Sequence, residues 1–388
     1  MDQVIYTGKV IGLSEGFAED NMVVCVQGDK ISRIEKRENF SPPKDVPVID
    51  WSAYSVMPGL IDCHDHLGFD VGDEEAQALE CDFVNVLRGV HNAKALLKSG
   101  ITTVRTMGEK NFMDLSWQKA IEAGWMVGPR LVNSSQIIAK TGGHAWYIGI
   151  EVDGVDPLRK AIRHQVKSGA QWIKLMITGG ASTAGSNSLA PEYSEGEIIA
   201  AIEETHRCQR KIAAHAHGGP GVRAAIENGI DSIEHGVYLT EEDLALMAQK
   251  GTYMVVTYGV MAAAAELPGI PPFMKENCIR ARDYYMTTLK LAKKHGVKVA
   301  FGGDTYHAQP VGDLEALVKA GFSNEEALRA GTLAAAEMLG LEEEIGSVEP
   351  GKLADLIAVD GDPLSDIRAM GRVEAVMRSG RVQPLGSF

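Results

Sequence analysis

Between residues 58 and about 345 the chain alternates short apolar, strand-like runs with amphipathic helical stretches, most of which stop at a glycine. This alternation constrains the fold more than any other feature, because strands separated by helices of this length pair in parallel. The strand-like runs fall at 60–66, 101–105, 130–133, 171–177, 211–215, 230–235, 252–257 and 297–301. The helical stretches include 83–99, 114–123, 194–209, 220–228, 240–250 and 275–295, with Gly100, Gly124, Gly229, Gly251 and Gly296 as stops. Two more are expected at 312–321 and 324–339, the second capped by Ser323 and ended by Gly340. Eight strand-then-helix units predict an α/β fold of the (β/α)8 TIM-barrel type.

Both ends of the chain have a different texture. Residues 1–57 and 346–388 read as short strands and tight turns, with Gln27-Gly28-Asp29-Lys30 as a hairpin turn. The economical arrangement is one small β-sandwich built from both chain ends (1–57 and 346–388), with a barrel domain at 58–345 inserted between them. With 388 residues, 45% of them hydrophobic, a large core is available without disulfides. The formal net charge of −14 argues against nucleic acid or an anionic membrane as partner. Five scattered cysteines, no Cys-x-x-Cys, no secretory signal and no membrane-length apolar run fit a cytoplasmic chain.

A barrel of this type places its chemistry at the C-terminal strand ends, so the residues there carry the functional reading. The first unit ends in His64 and His66, which alternation puts on one face. The fourth carries Lys174, opposite in direction to Ile173, Leu175 and Ile177, and so sent into the barrel. A buried ammonium is costly unless paired or chemically changed. Uptake of carbon dioxide by the neutral amine would give a carbamate with two oxygens for two cations. The fifth unit ends in His215-Ala216-His217, the sixth in Glu234-His235-Gly236 and the eighth in Gly302-Gly303-Asp304. Any one of these is an ordinary polar strand end. Together, four histidines, a lysine and an aspartate make a set able to hold two divalent metal ions, with zinc favoured by the imidazoles.

These motifs are similar to those of the amidohydrolase superfamily, in its binuclear, carboxylated-lysine branch. The resemblance runs through Met57-Pro58-Gly59-Leu60-Ile61-Asp62-Cys63-His64-Asp65-His66, Gly100-Ile101-Thr102-Thr103-Val104-Arg105 and Thr141-Gly142-Gly143-His144. It continues in Ile173-Lys174-Leu175-Met176, His215-Ala216-His217-Gly218, Ile233-Glu234-His235-Gly236 and Gly346-Ser347-Val348-Glu349-Pro350-Gly351-Lys352. Within the branch the chain resembles prolidase-like (Xaa-Pro) dipeptidases and arginine/lysine carboxypeptidases. The resemblance implies that His64, His66 and Asp304 bind one metal, His215 and His235 the other, and carboxylated Lys174 both. It implies that Asp304 also shuttles the proton and that His217 faces the substrate; His144 is a second candidate substrate contact. Arg105-Thr106-Met107-Gly108 and Asp304-Thr305-Tyr306-His307 depart from the common pattern, which bears on substrate more than on metals. Tyr238, Tyr258 and His307 are expected near the mouth.

The expected activity is hydrolysis of the amide bond of a dipeptide or N-acyl amino acid by a hydroxide bridging two metals. The same site could open a lactone, carbamate, aryl amide or phosphotriester. A mononuclear deaminase leaves Lys174 without a role, and a non-catalytic barrel leaves the whole ligand set without one. A small-molecule substrate and, by analogy with relatives, a homo-oligomer are expected.

Overall fold

A computed structural model describes residues 1–13 and 17–384. Its centre is built from parallel strands, as the strand–helix alternation requires. Leu60–Asp65, Ile101–Thr106 and Arg130–Asn133 form one parallel sheet. Trp172–Met176, Lys211–Ala216, Ser232–His235, Tyr253–Val256 and Val299–Phe301 pair in that order in a second. The two sheets are tied at both edges. On one side the Gln171 amide donates to Asn133 O at 2.8 Å. On the other, Asp65 bridges Asp304 in parallel, and the Asp304 amide donates to His64 O at 2.6 Å.

The strands alternate as buried parallel strands must. Ile173, Leu175 and Ile177 join the large core shared with the helices. Trp172 joins a separate apolar cluster with Ile61, Cys63, Val132, Ala213, Val255 and Ala300, residues that face one another across the strands. This inner cluster is closed on one side by Ala335, Ala336, Met338 and Leu339. It packs the interior on one side and leaves the other side for the polar strand ends.

Both chain ends enter one sheet. Leu356–Val359 pairs antiparallel with Val48–Pro58, Leu356 opposite Pro58, and Val48–Pro58 pairs in parallel with Gln3–Leu13. Met22–Gln27 and Lys30–Lys36 form the expected hairpin, with Gly28 at φ +62°. The bonding gives one eight-stranded sheet among the described residues, to which both chain ends contribute strands. Residues 385–388 of the C-terminal stretch lie outside the described residues.

Three local features differ from expectation. The helix expected at 324–339 is two helices, Asn324–Ala330 and Leu333–Leu339. The break at Gly331 lets its carbonyl accept from the Ile61 amide at 2.8 Å, tying the helix pair to the first strand. Two short helices, Glu74–Ala78 and Tyr258–Glu266, had too little apolar periodicity to be read from sequence. Two-residue strands Ile138–Ala139 and Ile150–Glu151 extend the second sheet. No helix among the described residues is long and apolar enough to cross a membrane, and all five cysteines are unpaired.

Candidate metal centre

The strand ends converge on one cavity, lined by His64, His66, Lys174, His215, His235 and Asp304, with His144 and His217 also in its wall. It holds about 610 Å³ of space between atoms, part of it open to solvent. His66 follows the strand Leu60–Asp65 directly rather than ending it. Its Nε2 still lies 3.7 Å from Asp304 Oδ1, and that of His64 lies 3.8 Å away. Donor atoms of His64, His66 and Asp304 all fall within 4.8 Å of one another, a spacing that one cation can bridge.

Each histidine of the set spends one ring nitrogen on the protein. His64 Nδ1 donates to Glu234 Oε2 at 2.8 Å, and His66 Nδ1 donates to Gly108 O at 2.8 Å. His235 Nδ1 lies 2.7 Å from Thr257 Oγ1, and His215 Nε2 lies 3.3 Å from Gly179 O. For His64, His66 and His215, whose partners can only accept, the other nitrogen is thereby left as a lone-pair donor, the usual arrangement for imidazole ligands. The His215 and His235 rings are 4.6 Å apart. Lys174 lines the same cavity as these two histidines. Its Nζ lies 3.4 Å from His64 Nε2.

Burial decides the protonation states. Desolvation, then the Lys174 charge, pulls His66 down to about 3. Desolvation likewise pulls His64, His215 and His235 well below the usual range, so the imidazoles are neutral and able to ligate. It lowers Lys174 to about 8, which brings its neutral amine within reach near physiological pH. Burial first, then the negative charge of Glu74, raises Asp304 to about 8. Removal of a proton from Asp304 and neutralisation of its charge are what a cation here would supply. The donor set therefore fits divalent metal.

The backbone is strained at two of the candidate ligands. His235 and Asp304 adopt φ +68° and +60°, which non-glycine residues avoid. His235 is held by its carbonyl, which accepts from the Tyr285 hydroxyl. Asp304 is held by its amide bond to His64 O. Gly302 lies so close to His64 that a Cβ would fall 2.5 Å from the His64 Cβ.

A buried ion pair behind the ligands went unassigned in the sequence reading. Glu234 accepts from Arg105 Nη2 at 2.8 and 2.9 Å, from Ser232 Oγ at 2.6 Å and from His64. Arg105 also donates to Cys63 O at 2.6 Å and lies 4.4 Å over the Trp172 ring. Arg105 and Glu234 are fully buried. Their place inside a strand pattern, where a charge has no reason to be unless paired, was the signal available.

The two candidate substrate contacts differ. His144 Nδ1 lies 2.8 Å from Thr183 Oγ1, and its ring covers Gly180, where a Cβ would collide with it. His217 is 1% exposed, yet neither ring nitrogen has a hydrogen-bond partner. Burial lowers His144 to about 3 and His217 to about 4. Of the residues expected at the mouth, Tyr238 lines a second cavity that shares His217 and Ala181 with the first. His307 is instead bonded to Asp65 Oδ2 at 3.0 Å and to Phe69 O at 2.6 Å. Tyr258 starts the helix Tyr258–Glu266 and lines neither cavity.

Residues 55–382 match the Amidohydrolase family. The chain is 31% identical to a protein named ochratoxinase from Aspergillus niger, over 96% of this chain and 84% of that protein. A solved Xaa-Pro dipeptidase with methionine in its active site superposes with TM-score 0.91 at 30% identity, covering 98% of this chain and 99% of that one. The solved A. niger ochratoxinase superposes with TM-score 0.86 at 26% identity, covering 98% and 95%.

Proposed function

The chain belongs to the amidohydrolase family, and from that premise we propose that it hydrolyses the amide bond of a dipeptide or N-acyl amino acid. The observation carrying this reading is the convergence of His64, His66 and Asp304 within 4.8 Å, beside Lys174, His215 and His235 in one cavity. The solved Xaa-Pro dipeptidase relative supports a peptide-like substrate. The tied edges of the two parallel sheets support reading them as a closed (β/α)8 barrel. Unpaired thiols are what a reducing cytoplasm preserves.

His64, His66 and Asp304 would hold one divalent ion, and His215 and His235 a second, with Lys174 joining both as its carbamate. Zinc suits this imidazole-rich set. When bound, such a pair makes water acidic and polarises a carbonyl oxygen. The chain's own residues do the rest. Asp304 accepts the proton of the attacking water and returns it to the leaving nitrogen, without which the amine would be too poor a leaving group. His217, with both ring nitrogens free, and His144, through Nε2, are neutral donors for the carbonyl oxygen as it gains charge. Ile137, Ile148, Met261 and Met274 keep the cavity wall apolar and limit bulk water.

The test is a panel of L-Xaa-L-Pro and L-Xaa-L-Arg dipeptides and N-acyl amino acids, assayed by amino-acid release with zinc-loaded protein. Cleavage of at least one class is expected, with Asp304→Asn reducing kcat by roughly a thousandfold. Protein carrying two ions per chain that cleaves no member would defeat the proposal.

A further inference from the structure

One carboxylate in the cavity has no part in the chemistry above. Glu74, at the start of the short helix Glu74–Ala78, lines the same cavity as His64, Lys174 and Asp304. It is only partly exposed, and among the described residues no cation lies within ion-pair distance of it. Its neighbours are hydroxyls: Tyr147 donates to Glu74 Oε2 at 3.3 Å, and the Tyr147 oxygen lies 3.5 Å from Ser182 Oγ, which also lines the cavity. The helix does not need Glu74 as a cap, because Asp73 already accepts from the Ala76 amide at 3.0 Å. Much of the surrounding wall is apolar: Ile137, Ile148, Met261, Met274 and Ala264.

A carboxylate on an apolar wall without a counter-ion is destabilising unless something that visits the cavity completes it. The two hydroxyls can orient it but cannot neutralise it. We propose that Glu74 is a specificity residue of this site, binding a cationic group of the substrate, an ammonium or guanidinium. This rests on the amide-hydrolase reading and narrows it to substrates bearing a positive charge near the scissile bond. Burial raises the Glu74 carboxyl above its ordinary value, a cost that a substrate cation beside it would relieve.

Two groups could supply that cation, the free α-ammonium of a dipeptide or a basic side chain. Matched pairs separate them: Ala-Leu against N-acetyl-Ala-Leu, and N-acetyl-Ala-Arg against N-acetyl-Ala-Leu. In the pair that carries the recognised charge, Glu74→Gln should lower kcat/KM for the cationic member roughly 10- to 100-fold. The neutral member should change by less than about threefold, with metal content unchanged. A turnover-independent readout is calorimetric binding of n-hexylammonium and n-hexanol to metal-loaded protein, where only n-hexylammonium should weaken in Glu74→Gln. Equal loss for both members of each pair, or n-hexylammonium binding unchanged by Glu74→Gln, overturns the assignment. Absence of amide cleavage with Glu74-dependent n-hexylammonium binding intact would instead overturn the amide-hydrolase reading and leave this one standing.

Discussion

At the scale of single residues, the site is governed by what each imidazole does with its second nitrogen. His64, His66, His215 and His235 each place one nitrogen against a protein acceptor or hydroxyl and turn the other toward the cavity, where that of His64 meets Lys174 Nζ at 3.4 Å. His217 places neither. A structural histidine this deeply buried would be expected to have a partner, so its open nitrogens fit a residue that waits for substrate. The prediction separates the neighbours: His215→Asn should cost bound metal, whereas His217→Asn should keep it and lose roughly 10- to 100-fold in kcat/KM. Metal analysis alongside steady-state kinetics checks both, and metal loss on His217→Asn would reverse the assignment. Alternation alone could not rank the pair, because His215 and His217 point the same way; the family resemblance put His215 on the metal and His217 toward the substrate. Their partners, Gly179 O for one and none for the other, come from a distant loop. Lys174 was legible for the opposite reason. A charge flanked by Ile173 and Leu175 can only face inward, and it does.

At the scale of elements, strand ends and the turns after them set the ligand positions. Asp304 follows Gly302-Gly303 because the chain passes against the first strand there. The Gly303 amide donates to Asp62 at 3.1 Å, and the Asp62 carboxylate also takes the His64 amide at 2.9 Å. Gly302 leaves no room for a side chain beside His64. Gly302→Ala should therefore push the first and eighth strand ends apart, lowering metal occupancy and costing about 1–3 kcal/mol of stability. Thermal denaturation and metal analysis test this, and an unchanged metal content would show that the contact relaxes freely. Helices with apolar period and caps were readable, as at Ser194 and Ser323, where both capping boxes form. The helix after Ser323 was read as one because Gly331 and Thr332 do not interrupt the apolar spacing. Only the tertiary bond from Ile61 to Gly331 O explains the break.

At the scale of the whole molecule, the two chain ends close around the parallel strands. Arg130, on the third strand, donates to Asp355 at 2.6 Å, and Asp355 also takes the Ser379 amide at 2.6 Å. Ile357 and Val376 belong to the main core, while Leu356 and Met377 belong to the core of the end sheet. The sheet thus couples the C-terminal stretch to the strands that carry the site. The textures of the two ends announced their kinship, but pairing order is a long-range choice that short strands do not encode. We propose that six side chains from separate parts of the chain form one two-ion centre in which Lys174 is indispensable. The most direct test is the number of divalent ions per chain, by inductively coupled plasma mass spectrometry, in wild type and Lys174→Ala after equilibration with zinc. Two ions in wild type and at most one in Lys174→Ala is the predicted result. One ion in both proteins would contradict it.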